Sequence, residues 1–358
     1  MDIHDWMDDF MRQAYECRDR VRWNLGLIVM EGMQSLNERP TEAREALEKA
    51  RSMAEALSEP WWVALCDHWL CQIHLNKIPD SAEAIRIVDQ ALIRLQQGVY
   101  RDLPQRICLH EDAIIAYRNV DPIGYREKIE DALRFMRENV GDDTPCRHCL
   151  RLLEVEGAID EGRSEEADRM AEDGLRMARK DPFFVSQFYA RLCRIAFVRN
   201  DFESLRHWSG AGKLFVGRMG NTSSNIELLM WEALALEECG RSEEAARRCR
   251  LAEALAQRSG QVPDSGYFDA LATYREYCGQ PGEALAVRGL ELLQSVLGAP
   301  YLECLCRLKR LRLLIRLGRS TTDEMRRLRQ AATAIEDPTD ILREAEEIVA
   351  RSGVKAAV

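Results

Sequence analysis

The sequence has 358 residues and a formal net charge of −10 at pH 7, with 46% hydrophobic and 7% aromatic residues. This acidity argues against non-specific binding to nucleic acids, because their phosphates attract a basic surface. The abundance of Ala, Leu, Glu and Arg is typical of a helical protein, and the sequence lacks the alternating β-branched runs that build strands.

No Gly/Ser-rich or Pro-rich linker divides the chain, which predicts one continuous array over residues 1–358. The 12 cysteines form no framework of short loops, so we expect free thiols in a reducing compartment. The N-terminus lacks the basic start and apolar run of a signal peptide, and the longest apolar stretch, near residues 25–30, is too short to cross a bilayer. We therefore expect a cytoplasmic protein with no membrane segment.

The first predicted element is a helix over residues 3–17. Its apolar residues recur at helical spacing, which indicates one buried face. They are Ile3, Trp6, Met7, Phe10, Met11 and Ala14. We expect residues 1–18 to cap the array that follows.

A Gly-x-x-x-Glu-Ala motif occurs three times, at residues 162–167, 240–245 and 279–284. In each copy an apolar, helix-like run ends at the glycine, and Glu-Ala stands in the first turn of the next helix-like run. Each copy therefore predicts a helical hairpin, and the motif indicates a repeat.

The repeat extends along the chain with a period of about 40 residues. Most copies place a small residue just after the hairpin turn and another seven residues later, so both lie on one helix face that a neighbouring helix can approach closely. The first set is Ala43, Ala84, Tyr125, Ala167, Ser204, Ala245, Ala284 and Met325, in which Tyr125 and Met325 are bulkier. The second set is Ala50, Ala91, Ala132, Gly174, Ala211, Ala252 and Ala332, and Glu291 is the exception.

The 11 prolines fall at the boundaries that this repeat requires, since proline is disfavoured inside helices. The pattern predicts eight hairpins. First helices are predicted near 19–37, 60–76, 103–118, 145–161, 182–199, 222–239, 263–278 and 300–317. Second helices are predicted near 41–57, 81–97, 122–139, 164–179, 201–216, 242–258, 281–297 and 320–335, and a final helix over 339–351.

The Gly-x-x-x-Glu-Ala turns and the spacing of the small residues resemble tetratricopeptide repeats. Repeats of that family have 34 residues, so the period of about 40 here indicates extended helices. The resemblance implies an all-α fold, a right-handed αα-superhelix (a TPR-like solenoid) of about eight hairpins over 19–336, between capping segments 1–18 and 337–358. It also implies that the first helices line a curved inner surface, which receives a peptide or helix of a partner protein.

We therefore expect a non-catalytic adaptor or regulatory subunit that captures a segment of another protein. The six histidines form no recognisable acid–base constellation, and residues 209–213 lack the features of a phosphate loop, so we expect neither enzymatic activity nor a cofactor. Two alternatives stay open: a regulator that changes superhelical pitch when a peptide binds, and a nucleic-acid-associated subunit that uses the basic eighth repeat.

Positive charge is concentrated between residues 305 and 330, where only Asp323 and Glu324 oppose nine basic residues. These are Arg307, Lys309, Arg310, Arg312, Arg316, Arg319, Arg326, Arg327 and Arg329. One interpretation is that the acidic residues of 331–352 neutralise this basic segment. The other is that its first five members bind an acidic partner or a phosphate backbone.

Aromatic residues cluster in two predicted first helices and include Trp61, Trp62, Tyr267 and Tyr274. They either fill the core or, if they face the inner surface, anchor a partner. Two further patterns have the spacing of metal ligands, Cys146 with Cys149, and His68 with Cys71 and His74. Neither supplies the four ligands of a structural zinc site, so we expect packing and no metal.

Overall fold

The computed structural model describes residues 3–36, 39–78, 80–100, 103, 105–120, 122–139, 145–219, 222–258, 265–282, 284, 300–335 and 337–351. Within these ranges the chain forms 17 α-helices, one short 3-10 helix at Gly98–Tyr100 and no strand. The helices are α1 (Ile3–Glu16), α2 (Arg20–Ser35), α3 (Pro40–Ala56), α4 (Pro60–Asn76), α5 (Ser81–Leu95), α6 (Gln105–Val120), α7 (Pro122–Asn139), α8 (Pro145–Asp160), α9 (Ser164–Met177), α10 (Pro182–Val198), α11 (Phe202–Met219), α12 (Thr222–Glu238), α13 (Ser242–Arg258), α14 (Ser265–Tyr277), α15 (Pro300–Arg316), α16 (Thr322–Ala332) and α17 (Thr339–Arg351).

The prediction of an all-α chain is confirmed for the described residues, and the predicted helix bounds agree with the observed bounds to within three residues. The predicted second helix over 281–297 lies almost wholly outside the described residues. Consecutive helices pack against each other from α1 to α6 and from α8 to α13, which is the arrangement of a helical repeat.

Helix starts follow from side chains that satisfy free backbone N–H groups. Asp80 Oδ1 accepts a hydrogen bond from Glu83 N at 3.0 Å, and Asp181 Oδ1 accepts one from Phe183 N at 3.2 Å. Pro182 and Pro60 occupy the first turn of α10 and α4, where a missing N–H costs nothing. Six of the described prolines are the first residue of a helix at a predicted boundary: Pro40, Pro60, Pro122, Pro145, Pro182 and Pro300.

Helix ends explain the glycine of the repeated motif. Gly162, Gly240 and Gly279 have φ angles of +74°, +72° and +79°, in the left-handed region that glycine adopts without a steric penalty. The N–H of Gly240 donates to Glu237 O at 2.9 Å, which closes the last turn of α12. Asn200, with φ +60°, takes the same place after α10.

Small residues allow the close helix approach that their spacing predicted. Ala167, Ala245 and Ala284 are buried, and a Cβ on Gly174 would lie 2.2 Å from Cε1 of Phe188.

In the fifth hairpin the buried pair lies one residue later than predicted, although the two residues are still seven apart. Its buried pair is Leu205 and Gly212, whereas the predicted Ser204 and Ala211 are only partly buried. A Cβ on Gly212 would lie 2.8 Å from Cβ of Tyr189, so the closest approach of the neighbouring helix falls on Gly212 and sets the register of α11.

The chain forms two compact units, of which unit 1 contains α1–α7 and the described parts of 294–304 and 328–342. Its core surrounds Trp62, which is 0% exposed. Trp6 and Phe10 of α1 contact this ring at centroid distances of 4.8 and 4.9 Å, so α1 covers one side of the core of this unit. The first helices α4 and α6 pack against each other.

Unit 2 contains α8–α14, residues 305–327 and the described part of 343–358. Its core includes Phe188, Leu228 and Trp231. Each even-numbered helix from α8 to α14, the first helix of its hairpin, packs on the next even-numbered helix. The first helices of this unit therefore form a continuous row.

We predict opposite stability effects for Gly→Ala substitutions at Gly240 and Gly210. The Cβ of Gly240→Ala meets no atom within 4 Å, so only the left-handed φ opposes it, and we expect a loss of about 1–2 kcal/mol. Gly210, inside α11, also has space for a Cβ, and Gly210→Ala should stabilise the protein by about 0.5–1 kcal/mol. Urea unfolding followed by circular dichroism measures both, and a neutral Gly240→Ala would contradict the assignment.

Candidate functional site

A cavity of about 200 Å³ lies in unit 2 and is lined by the first helices α8, α10, α12, α14 and α15. Only Asn200, in the turn after α10, comes from outside these helices among the described lining residues. The polar lining residues are Arg194, Asn200, Asp269, Thr273, Lys309, Arg312 and Arg316. The apolar lining residues include Phe197, Trp231, Leu305, Leu308 and Leu313.

Helix α15 contributes three cations to this cavity. Lys309, Arg312 and Arg316 are separated by three and four residues, so they lie on one helix face. Four basic residues line the cavity in all, and Asp269 is the one acidic residue among its described lining residues. The described lining therefore carries more positive than negative charge.

Arg316 is held by aromatic rings. Its guanidinium carbon lies 4.5 Å from the ring centroid of Phe197 and 4.8 Å from that of Phe202, and its Nη1 donates to Phe197 O at 3.0 Å. Burial lowers the pKa of Arg316 from its ordinary value. Cation–π contact thus compensates part of the hydration that the guanidinium loses.

Lys309 forms no hydrogen bond or ion pair with any residue that the structure describes. It is partly buried, and burial lowers the pKa of its ammonium, as does the positive charge of Arg194. Cys306, Asp269 and Glu156 raise the pKa without offsetting these two effects. Lys309 therefore has no counter-ion among the described residues.

The other two cations of the cavity have carboxylate partners. Arg194 Nη1 lies 2.6 Å from Glu156 Oε2, and Glu156 also pairs with Arg191. Arg312 pairs with Glu344 of α17. The positive charges of Arg194 and Arg312 are thus partly neutralised.

The remaining candidates of the basic segment are neutralised by carboxylates. Arg307 and Arg310 pair with Glu324, and Arg310 also lies 3.3 Å from Glu276. Both carboxylates are buried, with 1% of Glu276 and 2% of Glu324 exposed. The interpretation of local neutralisation therefore describes Arg307, Arg310 and Arg312. The sequence interpretation had expected residues 331–352 to supply the neutralising carboxylates. Only Glu344 comes from that segment; Glu276 and Glu324 lie before residue 331, on α14 and α16 beside α15.

Burial removes three of the four aromatic candidates from the surface. Trp62, Tyr267 and Tyr274 lie in the cores of their units, so the packing interpretation describes them and the partner-contact role does not fit their positions. Trp61 is partly buried, and its ring centroid lies 5.4 Å from that of Trp6. These rings are buried because their positions on each helix face a neighbouring helix.

The patterns with metal-like spacing form no metal centre in the described residues. His68 Nδ1 lies 2.7 Å from Asp112 Oδ2, and Cys71 and His74 are buried in the core. Across the side chains that the structure describes, no three His, Cys, Asp or Glu residues are grouped to hold a metal ion. The side chain of Cys146, and with it the Cys146–Cys149 pair, lies outside the described residues. No disulfide joins two of the described cysteines.

A second cavity, of about 580 Å³, lies in unit 1 between α5, α6 and α7. His110 stacks on Phe135 at a centroid distance of 4.2 Å, and burial lowers its pKa to about 4, so it is neutral near pH 7. Lys128 and Asp89, which also line this cavity, pair at 3.1 Å. Its charges are thus paired within the chain, unlike Lys309 in unit 2.

Sequence reasoning missed four polar residues of the cavity in unit 2, which are Arg194, Asn200, Asp269 and Thr273. Arg194 interrupts the apolar helix α10, and Asp269 and Thr273 stand four residues apart on α14 among buried neighbours. Charged residues inside otherwise apolar first helices were the available signal, because such residues seldom enter a core without a partner or a function.

Comparison of the sequence with models of known protein families finds no match, and comparison with curated proteins finds none either. Every helix in the described ranges is too short or too polar to serve as a transmembrane span. Functional inference therefore depends on the geometry of the helices and of the cavity.

We predict that Glu324 and Asp323, adjacent in α16, differ sharply in their contribution to stability. Glu324→Gln leaves two arginines without their buried carboxylate and should cost about 3 kcal/mol. Asp323 is exposed and pairs only with exposed Arg326, so Asp323→Asn should cost about 0.5 kcal/mol or less. Urea unfolding of both variants checks the difference, and equal costs would show that the buried pairs are not formed.

Proposed function

We propose that this protein is a non-catalytic adaptor or regulatory subunit that captures a segment of a partner protein on the surface of its first helices. The proposal includes the finer features that the resemblance implies. These are a tetratricopeptide-like right-handed superhelix of about eight hairpins, capping segments at both ends and a cytoplasmic location. The partner is another protein rather than a nucleic acid or a membrane.

One observation supports this proposal above the others: the first helices of five successive hairpins line one cavity in unit 2. When successive first helices pack in a row and also line one cavity, the row is curved and its inner side is concave. A concave face of a helical repeat is suited to bury an extended or helical segment, because several helices contact it at once.

The basic eighth hairpin favours a protein partner over a nucleic acid. A phosphate backbone would have to displace Glu276 and Glu324 from Arg310, and both carboxylates are buried. Such a displacement would leave carboxylates buried without partners, which is unfavourable.

Site-specific photo-crosslinking in the cells that produce the protein tests the proposal. Val198 lines the cavity and is 45% exposed, and His207 is exposed on the second helix α11. A benzoylphenylalanine at position 198 should give a discrete adduct with one protein, and the same group at position 207 should not. Equal adducts from both positions, or none from position 198, would contradict binding along the first helices.

A further inference from the structure

The described lining of the cavity in unit 2 carries four basic side chains and one carboxylate, that of Asp269. Neither Lys309 nor Arg316 has a carboxylate partner among the described residues, and both face this cavity from α15. Arg316 is stabilised by the rings of Phe197 and Phe202, whereas Lys309 has no such contact. A negatively charged group would therefore be stabilised most strongly beside Lys309.

The surroundings of Lys309 strengthen the attraction for an anion. Arg194 and Arg312 line the same cavity, and the carboxylate that each pairs with, Glu156 or Glu344, is absent from the described lining. Charges surrounded by protein are screened less than charges in water, so their fields add inside a recess of this kind.

The apolar lining defines the rest of the ligand. Trp231, Leu305, Leu308 and Leu313 contribute hydrocarbon surface to the cavity. A volume of about 200 Å³ accommodates a molecule of about the size of a substituted benzene rather than a nucleotide. An inorganic anion would leave this surface in contact with water, whereas an organic anion would cover it.

The cavity opens where α10 ends. Val198, the last residue of α10, is 45% exposed, and Asn200 in the following turn is also exposed. Both line the cavity, so a small molecule can reach Lys309 without unfolding a helix.

We propose that this cavity binds a small organic anion, whose charged group pairs with Lys309 and whose apolar part contacts Trp231 and the leucines of α15. The chemical class is a carboxylate or a phosphate monoester with a short apolar body. This inference concerns the free chain and goes beyond partner capture, so it can hold or fail independently of the adaptor proposal.

The experiment is isothermal titration calorimetry of the full chain with three anions: phenylacetate, glutarate and phenyl phosphate. The first two represent free carboxylates, and the third represents a phosphate monoester. Phenylacetamide, the neutral isostere of phenylacetate, and inorganic phosphate, which lacks an apolar part, serve as ligand controls. We expect at least one organic anion to bind with one-to-one stoichiometry and more tightly than either control.

Three variants locate the binding. Lys309→Met should weaken the affinity about ten- to a hundredfold, the effect of losing a hydrogen bond to a charged group. Lys309→Arg keeps the charge and should retain most of the affinity. Lys180→Met removes an exposed lysine between α9 and α10 and should leave binding unchanged.

Labelling of lysines with a limiting amine reagent, read by mass spectrometry, gives a second measurement on the unmodified protein. The bound anion should protect Lys309 from modification and leave Lys180 reactive. The proposal is overturned if none of the three anions binds or protects Lys309. It is also overturned if phenylacetamide binds as well as phenylacetate, or if Lys309→Met binds as the wild type does.

Discussion

Arg310 lies between two buried carboxylates, and this contact fixes the orientation of α15. Its Nε and Nη2 are each 3.3 Å from Glu276 Oε2 on α14, and its Nη1 pairs with Glu324 on α16. With Arg310 held on this side, helical geometry turns Lys309, Arg312 and Arg316 to a different face of α15, about 100–160° around the helix axis. The positive cavity of unit 2 is therefore a consequence of ion pairs that lie outside it.

The same contacts explain how one helix carries so many positive charges. A buried arginine without a partner is strongly unfavourable, whereas carboxylates that accept from several guanidiniums reduce that cost. Glu276 accepts from Arg310 and Arg319, and Glu324 accepts from Arg307 and Arg310. Lys309 lies outside this network. The carboxylates therefore give Arg307, Arg310 and Arg319 a structural role, whereas the binding role of Lys309 is our proposal.

Much of the fold could be predicted because its signals are local. Proline and Asp mark helix starts, glycine with positive φ marks helix ends, and alanines at spacings of seven mark the packed faces. The site could not be predicted in the same way because its contacts join distant residues. Arg310 meets a carboxylate 34 residues earlier, and Arg316 contacts Phe197, 119 residues earlier. Charge counting found the basic segment but could not separate Lys309 from its paired neighbours.

The most direct measurement of this account is the titration of Lys309, followed by NMR of the protein with isotope-labelled methyl groups on its lysine amines. The Lys309→Arg and Lys213→Arg variants assign the signals of these two lysines. Lys213 serves as the paired reference, because its ammonium lies 2.6 Å from Glu232. The account predicts that the pKa of Lys309 lies below the ordinary lysine value of about 10.4 and rises when an organic anion is added. A pKa at or above that value in the free protein would show that a carboxylate already neutralises Lys309, and would contradict the account.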